Sequence, residues 1–158
     1  GAEWVHMRAM TNPGIRIALV ARTAADARDV MVEGQSGIMS CSGDDRPEYE
    51  PSKRRGTWAN GSMATTYSAD APDKLRGPQH HVCWADELAA WSSWDAWDQL
   101  QFGLRLGDKP RCVVTTTPRP LLRLRRIAED PRTYLTRGAT MDNRTNLSRD
   151  FIRAIHDR

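Results

Sequence analysis

The run Val82-Cys83-Trp84-Ala85-Asp86-Glu87 places two acids directly after four apolar residues. A buried strand that ends this way holds its first carboxylate rigidly, where it can ligate a divalent cation. It sets the second where it can polarise an attacking water, and these are the demands of phosphoryl transfer. The other reading is a strand that runs into a helix N-terminus, where the helix dipole favours acids. Four apolar residues followed by two acids recur by chance in roughly a few per hundred chains of this length, so the hexapeptide leaves both readings open. A second apolar strand, Cys112-Val113-Val114, ends in Thr115-Thr116-Thr117-Pro118 and brings hydroxyls to the same sheet edge, in reach of a phosphate or a metal-bound water. Threonine also favours strands for packing reasons alone.

Strand tips of this kind must be carried by alternating strands and helices. Trp4, Val5 and Arg8 at helical spacing, stopped by Asn12-Pro13-Gly14, predict a helix over 1–10, and a buried strand Ile15–Ala21 follows. Thr23 and Asp26 stand at capping-box spacing for a helix Ala24–Glu33 that Gly34 ends. Ser40–Arg55, rich in Gly, Asp, Pro and charge, reads as an exposed loop with room for one turn of helix and poor ladder potential. Asn60-Gly61, between Trp58-Ala59 and Met63–Ser68, predicts a tight hairpin. After Pro72–Gly77, a short loop or helix turn, come a strand His81–Ala85 and a helix from Ser92-Ser93 to about Leu106, with Ser92 and Asp95 at capping-box spacing. Strand Arg111–Thr116, basic helix Leu121–Glu129, strand Thr133–Thr136 and helix Leu147–Asp157, capped by Ser148, complete a β-α-β-α-β-α order. That order predicts an α/β fold with parallel pairing, and ligands in such sheets bind at the carboxyl ends of the strands.

Composition bounds the class. With 158 residues and six Trp, the chain is sized for one domain with a sizeable core. Its net charge of +3 gathers in Lys53-Arg54-Arg55, Arg119–Arg126 and Arg132–Arg158, which suits a polyanionic partner, nucleic acid first, or a solvated basic face. Cys41, Cys83 and Cys112 are odd in number and lack CxxC spacing, which argues against a disulfide framework or a zinc site and fits a reducing cytoplasm. No run of eighteen apolar residues supports a membrane span. Trp91, Trp94 and Trp97 could stack bases, although aromatics at helical spacing more often belong to a core. His80-His81 lacks partners at metal-ligand spacing.

A family resemblance emerges from the longer motifs. The run Tyr67-Ser68-Ala69-Asp70-Ala71-Pro72-Asp73-Lys74-Leu75-Arg76-Gly77-Pro78-Gln79, then Trp84-Ala85-Asp86-Glu87-Leu88-Ala89-Ala90-Trp91, resembles the large terminase subunit of tailed bacteriophages or of a prophage or gene-transfer-agent relative. Ala21–Met31 and Thr115-Thr116-Thr117-Pro118 resemble it too, in the family's order. The resemblance implies a P-loop NTPase domain, RecA-like of the ASCE class, three-layered with a mostly parallel sheet. It implies an ATP hydrolase that uses ATP and Mg²⁺ to translocate double-stranded DNA into a procapsid. On this resemblance Asp86 is the Walker B acid on the metal, Glu87 the catalytic glutamate, and Thr115, Thr116 and Thr117 the nucleotide-contacting motif that couples hydrolysis to movement. Arg76, within Leu-Arg-Gly, resembles the arginine that some members insert into a neighbour's site; its other reading is a surface arginine before a Gly turn. Arg22, at the tip of the first strand, is a weaker candidate for phosphate or DNA contact, and Leu121–Arg126 is a candidate for gripping the duplex. Implied partners are the portal, the small terminase subunit and further copies in a ring, in the bacterial cytoplasm at the procapsid, with no membrane.

The departures matter as much. No G-x-x-x-x-G-K-S/T occurs, and none of Lys53, Lys74 or Lys109 follows a glycine. Gly1-Ala2-Glu3-Trp4-Val5 resembles the helix that follows this phosphate cradle in terminases. The expectation is a partial ATPase domain over 1–158, truncated before the P-loop strand, without the adenine-binding segment or the nuclease domain, and inactive alone. The rival is a non-catalytic DNA-binding or assembly module that keeps the fold. A DExH/D helicase fits less well, because Leu88-Ala89 stands where that family has a further His or Asp.

Overall fold

The computed structural model describes residues 1–156. Its elements are α1 (Ala2–Thr11), β1 (Arg16–Ala21), α2 (Ala24–Asp26), α3 (Ile38–Cys41), β2 (Glu48–Glu50), β3 (Arg55–Thr57), β4 (Met63–Ser68), β5 (Val82–Asp86), α4 (Asp95–Gly103), β6 (Arg111–Thr115), α5 (Leu122–Glu129) and α6 (Arg149–His156). The chain divides into two units, Gly1–Arg119 and the part from Pro120 onward.

All six strands lie in the first unit and form one sheet in the order β2-β3-β4-β1-β5-β6. β4, β1, β5 and β6 are parallel, and β2 and β3 add to one edge antiparallel. The two central strands are apolar on both faces, as strands covered by helices on either side must be. Ile17, Leu19, Ala21, Val82 and Trp84 pack with Val5, Ala9, Ala27, Met31 and Ile38. Ala18, Val20, Cys83 and Ala85 pack on the opposite side with Leu75, Ala96 and Leu100. The result is the expected three-layer arrangement. It leaves the polar ends of β5 and β6, Asp86 and Thr115, half-buried at the carboxyl edge, with β5 fully buried up to that point.

The capping box at Thr23 forms: the Asp26 N–H donates to Thr23 Oγ1 at 3.1 Å, and the Thr23 N–H donates to Asp26 Oδ2 at 3.2 Å. The helix then widens into a π-helical stretch Ala27–Val32. The hairpin at Asn60-Gly61 also forms, but its first strand is Arg55–Thr57 rather than Trp58-Ala59. Gly61, at φ +85°, closes the turn by donating to Trp58 O at 2.9 Å. In the second unit, Ser148 Oγ accepts from the Phe151 N–H at 3.2 Å and starts the terminal helix as expected; the expected end of that helix, Asp157, lies outside the described residues.

Three expectations are corrected. Ser40–Arg55 is not a loop throughout, since it contributes the edge strand β2 and the first residue of β3. Ser92 does not cap α4: its hydroxyl donates to Asp70 Oδ1 at 2.7 Å, and Ser93 Oγ accepts from the Asp95 N–H at 3.0 Å. The charge-assisted bond to a carboxylate distant in sequence turns the Ser92 side chain toward Asp70, and Ser93 takes the local amide. Thr133–Thr136 is not a strand, and Tyr134 is 91% exposed. High strand propensity yields no ladder where nothing packs on the residue.

His80 makes the fold sensitive to acid. Its ring is 4% exposed, packs edge-on to Tyr67 at a centroid distance of 5.5 Å, and has no hydrogen-bond partner on either nitrogen. Burial first, and then the charges of Arg16 and His81, lower its pKa from 6.5 to about 4. A depressed folded pKa contributes stability that is complete above pH 6.5 and is lost as pH falls toward 4. The loss is about 3 kcal/mol. Urea unfolding at pH 7 and pH 4 checks this: His80→Phe should show an acid loss smaller by about that amount, and an unchanged loss would clear His80 of the role.

Candidate active site

Asp86 and Thr115 are register partners at the ends of β5 and β6. The Thr115 hydroxyl accepts from the Trp84 indole N–H at 2.7 Å and donates to Asp86 Oδ1 at 2.5 Å, so its one proton is committed to the carboxylate. Trp91 braces the same residue from the other side, with its indole N–H on Asp86 O at 2.9 Å. Burial is the main influence that raises the Asp86 pKa; the Thr115 hydrogen bond opposes it, and the Glu87 charge adds to it. A carboxylate held in this way is one whose ionised form a neighbouring cation would favour.

β5 stops at a left-handed residue. Glu87 has φ 48° and ψ 44°, and it is one of two non-glycine residues with positive φ among the described residues. That conformation costs an L-residue roughly 1–2 kcal/mol. The kink turns the chain into a 3-10 turn, Leu88–Ala90, whose Ala90 N–H donates to Glu87 O at 2.7 Å. The Glu87 side chain is exposed beside Thr117, whose N–H and hydroxyl lie 3.4 and 3.5 Å from its two oxygens. Thr116 Oγ1 accepts from the Ala89 N–H at 3.0 Å. The three consecutive threonines thus hold three parts of the β5 tip: the first acid, the turn after the second acid, and the second acid itself.

The start of α1 approaches the same place. A Cβ on Gly1 would fall 2.0 Å from Cε2 of Trp84, the residue whose indole holds Thr115. No side chain caps that helix. Its first-turn amides and dipole favour an anion there. Residue patterns alone do not reveal this juxtaposition; the likeness of Gly1–Val5 to the helix after a phosphate cradle was its only trace.

Arg76 is not part of this cluster. It is paired with Asp73 at 3.3 Å, is 67% exposed at the side chain, and borders a shallow depression with Gln99, Phe102 and Gly103 at the far end of α4. Within one chain, the structure brings Asp86, Glu87 and Thr115–Thr117 together and leaves Arg76 apart. Arg22 is exposed, its carbonyl accepting from Ser68 Oγ and the Asp70 N–H. Trp91 and Trp97 pack against the core beside Ala96 and Leu100 rather than offering free stacking faces.

The comparisons decide the family. The family model for the terminase large subunit, T4likevirus-type, N-terminal, matches residues 1–143. The chain belongs to that family. No curated protein matches it in sequence. Its fold is that of phage large terminase ATPase domains, a P-loop NTPase fold. The large terminase ATPase domain of Thermus phage P74-26 is 18% identical with a TM-score of 0.62, over 86% of this chain and 61% of that one. A large terminase of a thermophilic bacteriophage, solved in complex with ADP, is 15% identical with a TM-score of 0.69, over 93% of this chain and 38% of that one. The chain therefore spans less than two thirds of the terminases it matches.

The donor set of this terminase chain suits Mg²⁺ more than a metal caged wholly by protein. Among the described residues no three His, Cys, Asp or Glu converge on one point. One rigid carboxylate beside a hydroxyl and a second acid is what Mg²⁺ uses when phosphate oxygens and waters complete its shell.

Proposed function

We propose that the chain forms the metal-holding and water-activating part of an ATP-hydrolysing motor that moves double-stranded DNA into a procapsid. The observation that supports this most directly is the attachment of Thr115, Thr116 and Thr117 to successive parts of the Asp86-Glu87 tip. Bound Mg·ATP would supply the phosphoryl group and the charge that polarises it. Asp86 would hold the metal through Oδ2, the oxygen that Thr115 leaves free. Glu87, exposed at the tip, orients water and takes its proton. The threonines tie both acids to β6, so a change at the phosphate reaches the neighbouring strand. Arg76 acts on the next copy's site, its distance from its own acids being what that role requires. The working assembly is a ring of copies in the bacterial cytoplasm, with the portal and the small terminase subunit as partners.

Duplex-stimulated, Mg²⁺-dependent ATP hydrolysis by the full-length protein tests this reading. A full-length protein that binds duplex and hydrolyses nothing is instead a non-catalytic assembly module. Subunit mixing tests Arg76. Arg76→Ala and Glu87→Gln should each be inactive alone and regain turnover when mixed, because some interfaces then join an intact arginine to an intact acid pair. Mixtures that stay inactive rule out action across the subunit boundary.

A further inference from the structure

We propose that the cavity at the amino-terminal edge of the sheet, opposite Asp86 and Glu87, binds a phosphate group. It has a volume of about 270 Å³ and lies where β5 and β6 begin, walled by Arg8 of α1, Asn12 just after it, His81 ahead of β5, and the loop Gly107-Asp108-Lys109 ahead of β6. That volume is below the roughly 300–1,000 Å³ of whole small-molecule sites, which suits a phosphate group rather than a complete nucleotide.

Its lining is built for an acceptor. The Arg16 N–H donates to His81 Nδ1 at 3.0 Å, which fixes the neutral imidazole with its proton on Nε2 as a donor. Gly107, at φ +73°, keeps that ring edge approachable, since a Cβ there would sit 3.3 Å from His81 Cδ2. The Nε of Arg8 is buried with no hydrogen-bond partner, a costly state that an anionic acceptor would relieve. No ion pair engages Arg8 or Lys109 among the described residues. Asn12 donates to Arg8 O at 3.0 Å and to Thr11 Oγ1 at 2.8 Å, so it shapes the wall rather than offering a further donor. Asp108 offsets one of the two cations. Two cations and one imidazole N–H against one acid form a phosphate-binding set. The group could come from free phosphate or from a nucleic-acid backbone.

The test uses full-length protein labelled with ¹³C-histidine. Inorganic phosphate should shift the His81 resonance saturably, with affinity reduced at least tenfold in Arg8→Gln/Lys109→Gln. Asp108→Asn, a loop substitution that leaves both cations in place, should tighten binding several-fold. Anisotropy of a fluorescent duplex across salt concentrations then separates the sources. A salt slope smaller by about 2 in the double variant assigns the site to backbone phosphate. An unchanged slope assigns it to free phosphate. The proposal is overturned if phosphate leaves His81 unmoved, if the double variant binds phosphate as tightly as the native protein, or if Asp108→Asn weakens binding.

Discussion

In the full-length protein, Glu87→Gln is expected to lower ATP turnover by about 10²–10⁴-fold while nucleotide affinity persists. The substitution keeps the size of the side chain and leaves an oxygen to accept from Thr117, whose contacts with Glu87 are long, at 3.4 and 3.5 Å. What it removes is the group that can take a proton from water. Because the Glu87 side chain is exposed and its hydrogen bonds among the described residues are the long ones to Thr117, little of the fold depends on its charge. The left-handed backbone at φ 48° stays in place, so the direction of the side chain is preserved. Phosphate release measured beside fluorescent-nucleotide binding separates the two effects. A variant that keeps most of its turnover would show that another group activates the water, and one that loses nucleotide binding would assign Glu87 to the binding step.

The layers were legible because burial writes itself into the sequence. Ile17–Ala21 and Val82–Ala85 are unbroken apolar runs, as strands covered on both faces must be, and the acids that end the second run mark the sheet's carboxyl edge. The two short antiparallel strands were not legible. Glu48-Tyr49-Glu50, at the sheet edge, and Arg55-Gly56-Thr57 beside it are three residues each and carry charge, and by composition they look like loop. Thr133–Thr136 shows the opposite error: propensity without a surface to pack on made no strand. The site was half legible. Asp86, Glu87 and the three threonines can be placed at one edge from strand order alone, but their one-to-one hydrogen bonding depends on the β5–β6 register and on the left-handed turn at Glu87, a conformation for which the sequence carries no glycine or asparagine signal. Arg76 could not be located at all, because its position depends on where the turn after β4 descends along α4.

Asp86→Asn should separate stability from binding. The native carboxyl has a raised pKa because it is half-buried and lies next to Glu87, so the nucleotide-free fold is most stable with Asp86 protonated. That contribution is present at low pH and is lost as pH rises through the folded pKa, the reverse of the usual aspartate. Asparagine keeps an oxygen for the Thr115 hydroxyl and never ionises. The nucleotide-free variant should therefore melt no lower than the native protein at neutral pH, and its stability should decline less as pH rises. Metal affinity moves the other way. Binding the cation needs the ionised carboxylate, so it weakens in the native protein as pH falls and is largely lost in the variant at every pH. At a hundredfold excess of Mg·ATP over its Kd, the native full-length protein gains about 2.7 kcal/mol. For a chain of about 150–250 residues that is roughly 5–10 °C in Tm, and less for a longer one. Thermal melts with Mg·ATP, and with ATP plus chelator, should show that gain in the native protein only with the metal present, and not in Asp86→Asn. A variant that retained the full metal-dependent gain would move the cation away from Asp86, and one that melted well below the native protein without nucleotide would show that the ionised carboxylate holds the β5–β6 tip together rather than costing it stability.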